Sequence, residues 1–316
     1  MPGPEQPPQV PDPPRHALAL DVGGTGIKAG LVTRYGELTR TWRRATRIER
    51  GPEAVIATIV DFAAELVEES AADGTPVAAA GVALPGIIDE QTGVGVFSAT
   101  VGWRGVPFRA LLTERLAVPV AIGHDVRAGG VAEARIGAGR GSSRFVFLPL
   151  GTSIGGAVMI DGTPNLGVHG MGGELGHFVV RPGGLPCGCG LAGCRAQYSS
   201  AGAVAARYAE AAGTGNTGAL DVAARLASGD PIAARIWDEA VDALADALLT
   251  VFAILDPGRV VVGGGLAEAG DALMTPLAEA LTAKATYHVL PELVTAELGD
   301  LAGCLGAGLL AWDLVP

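Results

Sequence analysis

Residues 16–32 read "HALALDVGGTGIKAGLV" and residues 144–160 read "RFVFLPLGTSIGGAVMI". Each is an apolar strand, a glycine-centred turn and a second strand, which is the pattern of a β-hairpin. One such hairpin in each half of a 316-residue chain predicts a duplicated α/β fold of two lobes with a central cleft. The expected small N-terminal lobe covers residues 16–122 and takes back a C-terminal helix at 303–316. The large lobe is expected over 123–302.

The stretches between the hairpins fit that plan. Apolar residues at helical spacing over 52–69 predict a helix, and "VAAAGVALPG" predicts a buried strand running into a turn. A helix is expected to continue over 111–116. "VPVAIGHD" is a strand whose last residue, Asp125, stands at the mouth of a helix over 126–135. Further on, Ile232, Ile236, Ala240, Leu244, Leu248, Val251 and Leu255 mark the inward face of a long helix that stops at Asp256 and Pro257. The strand "RVVVGGG" then opens into another helix, a junction whose free amides could face a phosphate or a nucleoside.

Composition narrows the partners. A net charge of −11 and a pI near 4.9 argue against a nonspecific grip on nucleic acid, which needs a surplus of Lys and Arg. No uncharged apolar run reaches the roughly 18 to 20 residues of a membrane span, and no secretion signal opens the chain. A cytoplasmic protein with small-molecule partners is expected, with four cysteines as free thiols or metal ligands. The opening "MPGPEQPPQVPDPPR" is too rich in proline for a helix or a central strand and reads as a disordered tail.

Several residues carry candidate chemistry. In "DVGGTGIK", Gly23 and Gly24 let backbone approach phosphate oxygens, Thr25 offers a hydroxyl, Lys28 adds a cation, and Asp21 at a strand end can hold Mg²⁺ through water. Taken alone the segment is equally a tight turn. A second turn at Gly151 and Thr152 and a third glycine cluster at Gly263, Gly264 and Gly265 strengthen the phosphate reading. Neither the P-loop nor the dinucleotide pattern is present. Asp125 is a candidate general base for phosphoryl transfer to an alcohol, or an N-cap. Glu174 and His177, three apart, could bind a polyol or could cap each other. His177, Cys187, Cys189 and Cys194 form a His-Cys₃ set, the ligands of a closed structural zinc site. Such a site would pin one ring nitrogen of His177 and leave the other free. Cys304 reads as a core residue.

Taken in order, "DVGGTGIK", "GVALPGIID", "GHDVRAGGVAEARIGAGRG", "HGMGGELGH", "CGCGLAGC" and "VVGGGL" resemble the ROK family of sugar kinases, within the actin-hexokinase superfamily. The resemblance runs from about Ala17 to Trp312. It implies a ribonuclease H-like fold in each lobe, and ATP with Mg²⁺ held by the hairpin glycines and Asp21. Further phosphate contacts would come from Gly151, Thr152 and Ser153, and nucleoside contacts from Gly263, Gly264, Gly265 and Leu266. Asp125 becomes the general base toward a sugar 6-hydroxyl, with sugar contacts from Gly86, Thr100, His124, Glu174 and His177. Structural zinc and a homodimer or homotetramer are also implied.

The chain departs from the family pattern in places that bear on the sugar. His124 and Thr100 stand where asparagine is usual, and Ser153 stands where glycine is usual. Ala196 replaces a glutamate that in the family binds the sugar near its first and second hydroxyls, unless Arg195 or Gln197 takes over. A lost hydrogen bond to a charged group would weaken plain glucose about 10 to 150-fold, or make room for a substituent at carbon 2. The expected activity is therefore ATP-dependent phosphorylation of glucose or a modified hexose such as N-acetylglucosamine. Kinases for an amino sugar or a cyclitol are alternatives, as is a sensor that binds sugar without turnover. Polyphosphate could replace ATP as donor. The family's repressors need a helix-turn-helix ahead of the first hairpin, which a fifteen-residue proline tail cannot supply.

Overall fold

The computed structural model describes residues 15–151, 155–215 and 217–316. The proline-rich opening up to residue 14, and Thr152 and Ser153 of the second turn, lie outside the described residues. The chain divides into two compact units. One runs up to Gly123 and takes in Ala307–Pro316; the other is His124–Gly306.

The first unit contains β1 (His16–Val22), β2 (Gly26–Val32), β3 (Leu38–Ala45), α1 (Pro52–Ala72) and β4 (Val77–Leu84). After these come β5 (Ile87–Asp89), β6 (Val94–Phe97), β7 (Arg104–Val106), α2 (Phe108–Leu116) and β8 (Val120–His124). Its main sheet has the order β3-β2-β1-β4-β8, with β1 antiparallel to β2 and parallel to β4. The second unit contains α3 (Asp125–Ile136), β9 (Arg144–Pro149), β10 (Ala157–Ile160), β11 (Thr163–Pro164), α4 (Ala196–Ser199) and α5 (Ala201–Ala212). There follow α6 (Ala219–Ala227), α7 (Pro231–Leu255), β12 (Arg259–Gly263), α8 (Asp271–Lys284) and β13 (Glu292–Thr295), and α9 (Ala302–Trp312) begins in this unit and continues into the first. The second sheet has the order β11-β10-β9-β12-β13. The two orders are the same plan: a hairpin, an edge strand beyond it, and two strands on the other side. The duplication expected from the paired hairpins is present.

Each element forms for a local reason. The inner strands β4 and β12 are apolar almost throughout and buried on both faces. Along β3, by contrast, half-buried and exposed residues alternate over the whole strand, as suits an edge. Pro52 opens α1 at a position where a missing N–H costs nothing, and Val55, Ile59, Phe62, Ala63 and Leu66 pack into the first core. Asp230 caps α7 by accepting from the Ile232 and Ala233 amides at 2.8 and 3.2 Å.

The expected inward face of α7 is present: Ile236, Ala240, Leu244, Leu248 and Val251 are buried in the second core, and Ile232 and Leu255 pack against it partly buried. Trp237 adds to that face, and its Nε1 donates to the Ala272 carbonyl at 2.9 Å. One expectation needs correction. A helix does not follow "VVVGGG" directly. Gly264 has φ +77 and Gly270 φ +58, and a short 3-10 turn, Ala267–Ala269, separates them before α8. Left-handed backbone at both glycines breaks the helical path.

Within the first unit the C-terminal part of α9 closes the sheet. A Cβ on Gly81 of β4 would stand 1.8 Å from the Ala307 carbonyl oxygen, so helix and strand touch backbone to backbone. Trp312 Nε1 donates to the Val32 carbonyl at 3.0 Å. Cys304 is buried, as expected. Among the described residues no helix is long and apolar enough to cross a membrane.

Replacing Gly81 with Ala is expected to cost about 1 to 3 kcal/mol through overpacking. Gly215→Ala, where nothing lies within 4 Å, should stay within about 0.5 kcal/mol. Urea midpoints read both, and equal midpoints would contradict the close packing of α9 on β4.

Candidate functional site

In the first unit the glycine hairpin is held from outside its own sequence. Asp21 at the end of β1 pairs with Lys28 of β2. The Gly23 amide donates to the Gly26 carbonyl at 2.9 Å. Thr46, just past β3 and almost fully buried, donates its hydroxyl to the Gly23 carbonyl at 2.6 Å and its amide to Thr25 at 3.2 Å. Sequence reading missed Thr46, because its partners lie more than twenty residues away and no local pattern marks it. A Cβ on Gly24 would meet the Thr100 methyl at 2.9 Å, so the structure brings Thr100 to this turn. Gly86, at φ +107, faces the Phe97 carbonyl and Ser98 so closely that a side chain has no room.

In the second unit two further glycine turns meet. The Leu150 amide donates to the Gly263 carbonyl at 2.7 Å, and the Leu266 amide donates back to Leu150 at 3.0 Å. The Ala201 amide at the start of α5 donates to the Gly151 carbonyl at 2.9 Å. The Leu266 amide is therefore committed to the fold and not free, contrary to the expectation for this junction. Above Gly265 there is open space within 4 Å. Gly151, Gly263, Gly264, Gly265 and Leu266 lie together.

Asp125 is the first residue of α3, and His124 occupies the N-cap position without a side-chain cap bond. Asp125 Oδ1 accepts from the Val126 amide at 2.7 Å and lies 3.3 Å from His124 Nδ1. His124 is largely buried beside it. Burial pushes the Asp125 carboxyl up to about 6, against the opposing pull of the Val126 amide and the Arg127 cation, while Glu174 adds to the rise. The carboxylate keeps about a third of its surface open, so it is desolvated yet reachable.

Glu174 and His177 lie on the loop that follows β11. Glu174 Oε2 stands 4.0 Å from His177 Nε2, and both side chains are partly exposed. On its other side His177 Nδ1 faces Cys187 Sγ at 3.6 Å. Two backbones meet beside this loop: a Cβ on Gly173, which has φ +99, would lie 2.0 Å from the Gly156 carbonyl oxygen. Arg127 Nη1 donates to the Gly170 carbonyl at 3.0 Å, and Arg195 Nε donates to the Leu175 carbonyl at 3.1 Å.

The four candidate metal ligands converge. The ligand atoms of His177, Cys187, Cys189 and Cys194 all lie within 4.8 Å of one another. Cys189 and Cys194 sulfurs are 3.6 Å apart, close to the roughly 3.8 Å that two thiolates span across a tetrahedral zinc with bonds of about 2.3 Å. Burial works to raise the Cys187 thiol, but hydrogen bonds from Cys189, Cys194 and His177 outweigh it and hold it down at about 7. Burial and those same neighbours push Cys194 up to about 12. A cluster so divided over its protons is one that a divalent cation relieves. The residues that might have replaced the missing carboxylate each make a local contact. Gln197 donates to Cys187 Sγ at 3.6 Å. Arg195 is buried, pushed down to about 9 by burial, and its Nη1 and Nη2 find no acceptor among the described residues.

Comparison with known proteins agrees with this geometry. The ROK family profile matches residues 17–313. Glucokinase of Thermotoga maritima is 34% identical, with 92% of this chain and 95% of that protein covered. N-acetylgalactosamine kinase of Shewanella sp. strain ANA-3 is 33% identical over 93% of this chain and 96% of that one. The crystal structure of a ROK family glucokinase from Streptomyces griseus in complex with glucose and AMPPNP superposes with a TM-score of 0.81 at 28% identity, covering 94% and 99% of the two chains. With a matched fold and similarity over nearly the full length, the chain belongs to the ROK family and falls with its glucokinase-like sugar kinases, which are phosphotransferases.

Proposed function

We propose that this protein transfers the γ-phosphoryl group of ATP to the 6-hydroxyl of a hexose, with Asp125 as general base. The observation that carries the reading is the Asp125 carboxyl, held at about 6 at the first turn of α3. At neutral pH it is ionised, yet it is more basic than an ordinary aspartate, which suits it to take a proton from an alcohol. In the proposed step the hydroxyl proton passes to Asp125, the sugar oxygen attacks the γ-phosphorus, and ADP leaves. The glucose and AMPPNP held by the Streptomyces griseus relative support that pairing of substrates.

The remaining residues take roles of binding and aim. Asp21, Gly23, Gly24, Thr25 and Lys28 form the hairpin for the phosphates, and Asp21 would hold Mg²⁺, which supplies charge neutralisation on the β- and γ-oxygens. Gly151 is assigned to the second phosphate contact, and Gly263, Gly264 and Gly265 to the nucleoside side. His124, Glu174 and His177 of the second unit are assigned to the acceptor, and Gly86 and Thr100 of the first unit keep the acceptor role that the family resemblance implies. A zinc ion held by His177 Nδ1 and the three cysteines would fix the imidazole while leaving Nε2 toward Glu174.

One observation favours a modified hexose over plain glucose. Ala196 supplies no carboxylate, and its neighbours Arg195 and Gln197 are engaged with Leu175 and Cys187. An acceptor substituted at carbon 2 needs no partner there and gains the space. Similarity to an N-acetylgalactosamine kinase supports this class.

The test is ADP release with ATP and Mg²⁺ against glucose, mannose, N-acetylglucosamine, N-acetylmannosamine and 3-amino-3-deoxyglucose. Higher kcat/KM for a modified sugar than for glucose is expected; strong glucose turnover would overturn the specificity, and no turnover with any sugar would move the chain to a sensor. Asp125→Asn should lose about 10² to 10⁴ in kcat. Only the ionised carboxylate accepts a proton, so kcat/KM should fall as pH drops through about 6 and hold steady above 7. A flat profile down to pH 5 would remove Asp125 from the role. Elemental analysis should find about one zinc per chain, lost in Cys189→Ser; metal-free protein of full activity would contradict the structural site.

A further inference from the structure

The loop "HGMGGELGH", residues 169–177, carries Glu174 and His177 but contains four glycines, the residues that lose most conformational freedom on ordering. No helix or strand covers Glu174 itself; only a short 3-10 turn, Leu175–His177, follows it. Something outside the loop must set where Glu174 stands. We propose that Arg127 and Arg195 are positioning residues that fix Glu174 from both sides by holding the Gly170 and Leu175 carbonyls. The proposal rests on the reading of Glu174 as an acceptor-binding residue.

The geometry is specific. Arg127 lies on the first turn of α3, two residues past Asp125, is 3% exposed and donates to Gly170 at 3.0 Å. Arg195 follows the last cysteine of the metal cluster, is 1% exposed and donates through Nε to Leu175 at 3.1 Å. Its own amide donates to the Phe178 carbonyl at 2.8 Å, past the far end of the 3-10 turn. Between the two arginines the backbone of Gly173 rests on that of Gly156, where any side chain would collide. Glu174 thus has a carbonyl held four residues before it, a carbonyl held one residue after it, and a contact immediately ahead of it. The anchors join the loop to the helix of Asp125 on one side and to the cysteine cluster on the other.

Packing alone does not account for these side chains. Two nitrogens of Arg195 are buried without an acceptor among the described residues, a cost that Met or Leu of similar volume would avoid. Arg127 has a second effect, since its charge opposes the rise of the Asp125 carboxyl. The titratable and charged groups facing that carboxyl are His124, Arg127 and Glu174.

The experiment compares Arg195→Met, Arg127→Gln and Arg127→Lys with the wild type in the full-length, zinc-loaded protein, zinc content being checked by elemental analysis. Arg195→Met is expected to melt at or above the wild-type temperature while the acceptor KM rises about tenfold, the lower end for losing a charged donor, and the KM for ATP stays within twofold. Arg127→Gln should raise the acceptor KM similarly and also move the acid limb of kcat/KM to higher pH, with Arg127→Lys returning the limb. Amide exchange of residues 170–177 should quicken in Arg195→Met and Arg127→Gln. Acceptor KM within twofold of wild type in both, or unchanged exchange across the loop, overturns the proposal. If the wild type turns over no sugar, the functional reading has failed; amide exchange still decides whether the arginines hold the loop.

Discussion

The parallel pairing of β12 with β9 is the constraint on which the second unit depends. It runs in register from Arg259 opposite Phe145 to Gly263 opposite Pro149, so two strands end side by side and both then enter glycine turns. Parallel strands discharge their exposed amides and carbonyls at the same edge, and ligands of open α/β sheets gather outside the carboxyl ends. Here the ladder is continued beyond the strands by the reciprocal bonds of Leu150 with Gly263 and Leu266. The same design recurs in the first unit, where β1 runs parallel to β4 with Asp21 opposite Ala83. A duplicated fold thus presents two strand-end edges, and each carries a hairpin turn.

The segments of the second unit outside its sheet are built on a different principle. The loop with Glu174 and His177 and the cysteine stretch after it contain little regular structure, so their position comes from cross-links between side chains and backbone. Arg181 pairs with Asp242 and Asp246 of α7, and Lys284 of α8 joins the same two carboxylates. A Cβ on Gly193 would strike the Arg181 carbonyl oxygen at 1.6 Å, so this ion network bears directly on the segment leading to Cys194. Such part-exposed pairs contribute little individually; as a network they fix one arrangement of a loop that could otherwise take many.

How much of this could be read from sequence follows the range of the interactions. The two hairpins, the helix after Asp125, the long helix with its Asp-Pro stop and the cysteine cluster are local patterns and were legible. What sequence reading missed depends on tertiary contact. Thr46 gains its role from the Gly23 carbonyl across the sheet. Trp237 joins the buried face of α7 because the Ala272 carbonyl accepts its N–H. Arg195 reads only as a stand-in for the missing carboxylate until the fold buries it against Leu175. The glycine junction after β12 reads as a helix start, but the Leu266 amide is committed to the Leu150 carbonyl, a partner far away in the chain. Short strands of the β5-β6-β7 sheet, three or four residues each, carry too little periodicity to be seen.

The last turns of α9 have a consequence for synthesis. Ala311 and Trp312 pack with Ala17 and Ala79 in one buried cluster, and Trp312 bonds Val32, so the first unit is assembled from both ends of the chain. The second unit is a single continuous stretch. The first unit's sheet therefore keeps an apolar flank uncovered until residues 307–316 have been made, however early its strands are synthesised. Loss of residues 307–316 would therefore be felt at β1, at the opposite end of the described chain.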